Sequence, residues 1–294
     1  MAKLLVLVNP AAGRGKALKV LPKVEAALKE MGLSYDLVRT EAPDHATALA
    51  REAVKAGYEV VACVGGDGTV SETGRGLIGT NTALALLPAG TGNDFARALG
   101  LHRKLDLAIR TLRDGNVQAI DVGRFGQHTF LNSVGVGFDG LVTRENQKVK
   151  SLTGILSYLV VVMKNLPTYQ NPHFHLKGRD WEFKSKGVLV EFGNGQCAGG
   201  GFFLTPHADL QDGLIDVTLL GDYGPLQRFV AMPMVLLRRM EMLKGVQFFK
   251  TDVLELSVDR PTYIHVDGNL KHMNEPATVE ILPKALKVLF PPKN

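Results

Sequence analysis

Cysteine is scarce: two in 294 residues, Cys63 and Cys197, far apart and outside any CxxC or HExxH motif. That scarcity argues against a disulfide framework or a zinc site and fits a reducing compartment. Long apolar runs are missing too. The longest, GILSYLVVVM, stops at Lys164, well short of the roughly 18 residues of a membrane-crossing helix. The opening MAKLLVLVNP lacks the extended apolar region and small-residue cleavage site of a secretory signal, so it reads as a first strand. No repeat period and no low-complexity segment is visible. A net charge of +5 is mild; it suits a phosphate-rich ligand or an anionic membrane surface, and a solvated basic exterior equally well. No nucleic-acid partner is expected. What remains is a 45% apolar chain, long enough to bury one large core or two modest ones.

The first 120 residues alternate between strand and helix patterns. KLLVLV, SYDLVRT, EVVACV and ALALLP read as strands. KALKVLPKVEAALKEMG reads as an amphipathic helix ended by Gly32. DHATALAREAVKAG reads as a second, with Asp44 as N-cap and Gly57 closing it, and a third starts near Val70. Strands separated by helical segments of this length predict a parallel, doubly wound α/β half whose ligands bind at strand C-termini. From about residue 123 the pattern turns β-rich, with hairpin turns at Gly126-Gln127 and Gly178-Arg179-Asp180, predicting an antiparallel sandwich. Helical segments interrupt it near 152–166 and 225–244. The final strand, LKVLF, fits either half.

Three glycine loops follow predicted strands: VNPAAGRGK, VGGDGTVSE and LPAGTGNDFA. In GGDGT, Gly65, Gly66 and Gly68 are free to adopt positive φ and turn backbone N–H groups outward at a helix start, an anion cradle. A carboxylate there repels bare phosphate, so Asp67 makes sense beside Mg²⁺ held by phosphates; a tight turn with Asp67 as helix cap is the plain alternative. The other loops add Asn9, Gly13, Arg14 and Lys16, and Thr91, Asn93 and Asp94. A parallel sheet brings all three to one edge, and that convergence predicts phosphate binding. Other matches are weaker. NPAAGRGKA departs from a Walker A loop, and GVGFDG (135–140) satisfies GxGxxG without a βαβ unit. The Met-rich MPMVLLRRMEML reads as core with Arg238 and Arg239 on its wet side, or as a lipid-facing surface. His265 and His272 show no metal spacing and read as structural.

NPAAG, GGDGTVSE and GTGNDFA, in this order and spacing, resemble the bacterial diacylglycerol kinases and YegS-type lipid kinases, relatives of the sphingosine kinases. The likeness continues through DVGR, FLNSVGVGFDG, GGGFFLTPHADLQDGLIDV and VDG, essentially the whole chain. GGDGT alone is shared with NAD kinases and phosphofructokinases; its combination with GTGNDFA and DLQDG is far more specific. The resemblance implies an NAD kinase-like α/β nucleotide-binding domain over residues 1–122. It also implies a β-sandwich lipid-substrate domain over 123–283, with the tail 284–294 returning to the first. It implies ATP contacts from Asn9, Pro10, Ala11, Ala12 and Gly13, from Thr40, from Gly66, Asp67, Gly68, Thr69, Val70, Ser71 and Glu72, and from Thr91. Asp67 would orient the nucleotide's Mg²⁺. DLQDGL resembles the family's structural Mg²⁺ loop, with Asp209, Asp212 and the Leu214 carbonyl as ligands, and the catalytic base would be Asp267. The family usually reads Asp-Gly-Glu where this chain has Asp267-Gly268-Asn269.

The expected function is an ATP- and Mg²⁺-dependent transfer of phosphate to a lipid hydroxyl, diacylglycerol or a related lipid. The protein is expected to be cytoplasmic, to meet its lipid peripherally at a membrane surface, and to place the meeting of nucleotide and headgroup in the cleft between domains. A homodimer stays open. Two other classes share parts of the pattern: an NAD kinase-like enzyme, through GGDGT, and a catalytically weak lipid- or nucleotide-binding protein, through Asn269.

Overall fold

The computed structural model describes residues 3–149 and 155–292. Contacts divide the chain into two units, 1–121 with 283–294, and 122–282. In the first unit, β1 (Leu4–Val8), β2 (Tyr35–Arg39), β3 (Val60–Gly65) and β4 (Ala83–Pro88) run parallel in the order β2-β1-β3-β4. β1, β4 and all of β3 beyond Val60 are buried, as expected of a sheet covered on both faces. The connecting helices are α1 (Lys16–Glu30), α2 (His45–Lys55), α3 (Asp67–Leu77), α4 (Asp94–Ala98) and α5 (Leu105–Asp114). In α1 the buried residues Ala17, Leu21, Val24 and Leu28 fall on one helical stripe. The chain leaves β1 for β2 on one side and returns to β3 on the other, so the order reverses between β1 and β3, where doubly wound sheets bind ligands.

Two local expectations change. Asp44 does not cap α2: its carboxylate accepts from Arg75 Nη2 at 2.8 Å, and no side-chain cap bond forms. The helix expected from Val70 starts at Asp67, directly after the glycine pair.

β5 (Asn116–Phe125) leads into the second unit. There follow β6 (His128–Phe130), β7 (Ser133–Gly137), α6 (Phe138–Asn146), α7 (Ile155–Asn165), β8 (His173–Lys177) and β9 (Glu182–Gly193). Next come β10 (Ile215–Gly221), α8 (Pro225–Leu236), a 3₁₀ turn at Met240–Met242, β11 (Val246–Thr251), β12 (Val253–Val258), β13 (Thr262–Val266) and β14 (Asn269–Met273). Residues 152–154 of the expected first helix lie outside the described residues. ATVEILP and LKVLF, read as two strands, form one, β15 (Ala277–Phe290), which carries the chain back into the first unit.

The strands of the second unit pair antiparallel in two layers that share β9. One end of β9 pairs with β8, the other with β7 and β10. Both expected hairpins form, with Phe125 opposite His128 and Lys177 opposite Glu182. Phe130, Phe174, Phe192, Val217, Leu219 and Leu256 fill the space between layers. Side chains alternate along a strand, so Leu189 and Leu220 turn the other way and pack with residues of α6, α7 and α8. Helices on one face and sandwich on the other explain why VLVEF is apolar at nearly every position. Cys63 and Cys197 are buried free thiols, and no helix among the described residues is long and apolar enough to cross a membrane.

Candidate functional site

In the first unit the three glycine loops meet. Asn9, just past β1, donates from Nδ2 to Thr69 Oγ1 at 2.9 Å, and its N–H reaches the Val64 carbonyl at 3.2 Å. A Cβ on Gly13 would stand 2.2 Å from the Ala89 carbonyl oxygen, and one on Gly90 would stand 2.5 Å from Gly66 Cα. Glycine is required at Gly90 for space, and a Cβ on Gly66 would meet Gly90 Cα tightly at 3.0 Å; neither is set by backbone conformation. Gly66 has φ of −102°, and Gly65 and Gly68 are likewise absent from the positive-φ residues, contrary to expectation. Asp67, half-buried at the first position of α3, accepts the Phe95 N–H on Oδ1 at 3.1 Å and so ties GGDGT to GTGNDF. The start of α3 brings the positive end of the helix dipole beside that carboxylate.

The expected nucleotide residues divide by burial. Ala11, Gly68 and Thr91 are exposed, and Asn9, Pro10, Ala12, Gly13, Thr40, Gly66 and Glu72 are half-buried. Thr69, Val70, Ser71, Asn93 and Asp94 are buried. Asn93 shapes its loop from within: Oδ1 accepts the Gly90 N–H at 2.9 Å and Nδ2 donates to the Gly90 carbonyl at 3.0 Å.

In the second unit Asp267 occupies the β13–β14 turn with φ of 47°, 8% exposed. Its carboxylate accepts three backbone N–H groups: Leu131 on Oδ2 at 2.9 Å, Asn132 on Oδ1 at 2.9 Å and Ser133 on Oδ1 at 3.1 Å. Hydrogen bonds to an ionised group contribute about 1.5–3 kcal/mol each, so Asp267 is an anchor for the connection between β6 and β7. Asn194 Nδ2 donates to the Leu131 carbonyl and Asn132 Nδ2 to the Cys197 carbonyl, both at 2.8 Å. This polar scaffold around the turn has no local sequence signature, because its partners are more than 60 residues apart.

Behind the same turn lies a cluster that the sequence left unread. His265 Nε2 lies 2.6 Å from Asp139 Oδ2 and 3.7 Å from Glu191 Oε1, all three residues buried. A Cβ at Gly135 would come within 2.6 Å of each group, so only glycine fits the first G of GVGFDG. Burial pushes the Glu191 carboxyl up to about 8. Burial alone would lower His265, but the neighbouring carboxylates, Asp139 first and then Glu191 and Asp267, together take the imidazole up to about 9. One histidine and two carboxylates resemble a metal set in composition. His265 and Asp139 share a hydrogen bond of 2.6 Å. The partners of His265 stand on separate elements, and no sequence spacing announced them. His272 packs its ring against Tyr263 at 4.4 Å.

The DLQDGL loop is separately held. Asp209 Oδ1 accepts the Gln211 N–H at 2.9 Å and Asp212 Oδ1 accepts the Leu214 N–H at 3.0 Å. Lys250 Nζ lies 2.7 Å from Asp212 Oδ2 and 3.1 Å from Asp216 Oδ2. Two carboxylates and a carbonyl suit a hard, partly hydrated cation, which would share Asp212 with an ammonium already in place.

One apolar concavity of this unit is lined by Val142, Val162, Leu166, Phe202, Ala231 and Val235, with Asp139 and Arg228 among its few polar neighbours. Arg228 is buried with its donors committed: Nε to the Tyr223 carbonyl, Nη1 to the Leu166 carbonyl and Nη2 to Asn171 Oδ1, at 2.6–2.8 Å. The pocket is therefore a predominantly apolar slot between α6, α7 and α8.

A family model described as "Diacylglycerol kinase catalytic domain" matches residues 3–125, and one described as "YegS C-terminal NAD kinase beta sandwich-like domain" matches residues 132–290. The chain is 31% identical over 300 residues to the "Probable lipid kinase YegS" of Shigella dysenteriae serotype 1 (strain Sd197), covering 99% of this chain and 96% of that protein. A protein of the same name from Escherichia coli (strain SMS-3-5 / SECEC) is 30% identical with the same coverage. A crystal structure from Bacillus anthracis str. Sterne superposes with a TM-score of 0.77 at 25% identity, over 99% of this chain and 97% of that one. Another from that organism, described as a diacylglycerol kinase, superposes at 0.70 with 21% identity, a likeness of fold.

The buried cluster sets a pH dependence. His265 holds its proton more tightly folded than at its ordinary 6.5, so its contribution is full below about 6.5 and is lost as pH rises through about 9. Glu191, raised from 4.5, acts in the same direction, and its contribution is lost as pH rises through about 8. The thermal midpoint is expected to fall between about pH 5 and pH 9 as read by circular dichroism, and Glu191→Gln, permanently neutral, should flatten that fall. A Glu191→Gln profile as steep as wild type would contradict the assignment.

Proposed function

The chain belongs to the bacterial lipid kinases that join a diacylglycerol kinase catalytic domain to a YegS-type β-sandwich, and from that premise we propose that it phosphorylates diacylglycerol or a closely related lipid, using ATP and Mg²⁺. The observation that carries the acceptor class is the apolar slot between α6, α7 and α8. A nicotinamide nucleotide would need polar groups there, whereas an acyl chain needs the Val, Leu and Phe side chains present.

In this reading the nucleotide phosphates lie against the N–H groups of Gly66–Thr69 at the start of α3, flanked by the Asn9–Gly13 and Thr91 loops. Mg²⁺, when bound, supplies charge neutralisation on the phosphates, and Asp67 is the carboxylate of these loops suited to orient it. Phosphoryl transfer needs mainly positioning and charge compensation, and the glycine loops supply both through rigid backbone donors. Asp209, Asp212 and the Leu214 carbonyl are proposed as a second, structural cation site in the sandwich.

Asn269 is exposed at the first position of β14. An amide cannot accept a proton at neutral pH, so the acceptor for the lipid hydroxyl proton is Asp267. The loose transition state requires little prior deprotonation, which suits a weak base. The three N–H groups on Asp267 favour a second reading, in which this carboxylate only anchors Leu131–Ser133 and catalysis is weak.

Incubation with γ-labelled ATP and a panel of diacylglycerol, phosphatidylglycerol, a sphingoid base and NAD tests the reading. Label in an extracted lipid is expected; label on NAD alone would overturn it. Asp67→Ala should abolish transfer while the thermal midpoint falls by only a few degrees, since Asp67 is half-buried at the start of α3 rather than in the core. Asp267→Asn should lower turnover of the folded enzyme by about 10² or more, the scale for a positioned base, and Asn269→Glu should be tolerated or raise it. Full turnover in folded Asp267→Asn would leave Asp267 as an anchor only.

A further inference from the structure

Nine large apolar side chains are exposed among the described residues, and seven of them sit on two helices of the second unit and the turn that follows: Leu156, Val160 and Met163; Leu226, Val230, Leu237 and Met242. Their spacing is not random. At 100° per residue, Leu156, Val160 and Met163 fall within an arc of about 60° on α7, and Leu226, Val230 and Leu237 within about 40° on α8 and its cap. The opposite faces are already used. Val162 of α7 with Leu166 just past its end, and Ala231 and Val235 of α8, line the apolar slot and pack in one cluster with α6. Each helix is therefore apolar on two sides, one turned into the protein and one turned to solvent.

The charge around these stripes is one-sided. Lys164 follows the α7 stripe, and Arg238, Arg239 and Lys244 follow α8, all exposed. The single acid of the two segments, Glu241, faces His207 Nε2 at 2.7 Å. A second copy of the chain seated on this face by two-fold symmetry would set cations against cations. An anionic bilayer surface meets both features at once: the stripes enter the acyl boundary and the lysine and arginine heads stay at the phosphates.

We propose that the outer faces of α7 and α8, with Lys164, Arg238, Arg239 and Lys244, are the surface by which the second unit docks on an anionic phospholipid bilayer. The docking deepens the lipid-kinase reading and rests on it for its purpose, since an acceptor with an insoluble tail must be taken from a membrane. The two helices that touch the bilayer are also two walls of the slot proposed for that tail.

Sedimentation with vesicles of phosphatidylglycerol and phosphatidylcholine, against vesicles of phosphatidylcholine alone, tests the surface. The protein is expected to partition onto the anionic vesicles, less so as salt is raised. Leu226→Glu with Val230→Glu should lower that partition by about tenfold or more, and Leu156→Glu with Val160→Glu should do the same from the other helix. Both pairs are exposed and outside the slot, so their thermal midpoints and their rates on a short-chain diacylglycerol dispersed in detergent should match wild type. Wild-type partition in both variants would overturn the proposal. So would absence of wild-type binding to either vesicle, or variants that convert a dimer to a monomer without loss of vesicle binding. Vesicle binding that the variants abolish, in a protein that phosphorylates no lipid, would uphold the surface and overturn the kinase reading instead.

Discussion

The first unit depends on one close approach, the backbone of Gly66 against that of Gly90. A side chain on Gly90 would reach 2.5 Å from Gly66 Cα, so the C-terminal ends of β3 and β4 can lie this near only because both residues lack Cβ. Gly13 makes the same demand against the Ala89 carbonyl. Polar bonds then fix what the glycines permit: Asn9 to Thr69, Asn93 to Gly90, Asp67 to Phe95. The outcome is a rigid edge at the reversal of strand order, with the N-terminus of α3 facing outward. Backbone donors held this way need no rearrangement when negative charge arrives, which is the property that phosphoryl transfer draws on.

The second unit solves a different problem. Its β9 carries one layer into the other, so a single strand must be apolar toward the sandwich core and toward the helices. Glu191 breaks that pattern in the middle of VLVEF and is neutralised by burial beside His265 and Asp139. Its three polar groups lie behind the turn that carries Asp267, whose carboxylate gathers three N–H groups from the β6–β7 connection and the start of β7. Polar chemistry thus collects around one turn, while α6, α7 and α8 keep a separate apolar slot.

The architecture was largely legible. Buried runs such as LLVLV and ALALLP, spaced by amphipathic helices, could only be a parallel sheet, and hairpin turns at Gly126 and Gly178 marked the antiparallel half. The convergence of three glycine loops followed from strand direction alone. What stayed hidden was nonlocal. Gly66 looked like a conformational glycine, and its close approach is to a neighbour 24 residues away (90 − 66). Asp44 had the right residue type for a cap but met Arg75 instead. Asp139, Glu191 and His265 lie on three elements spread over 126 positions, so no spacing rule could gather them. β15 read as two strands because Pro283 interrupts its pattern, yet it runs unbroken from Ala277 to Phe290.

Hydrogen–deuterium exchange with and without saturating ATP and Mg²⁺ tests the central claim most directly, because it reads the glycine loops without depending on which lipid is the acceptor. Protection is expected in residues 9–13, 66–72 and 89–94 together, since one ligand against interlocked loops must quiet all three. Saturable nucleotide binding that leaves these segments unchanged, or protects residues elsewhere alone, would contradict the account.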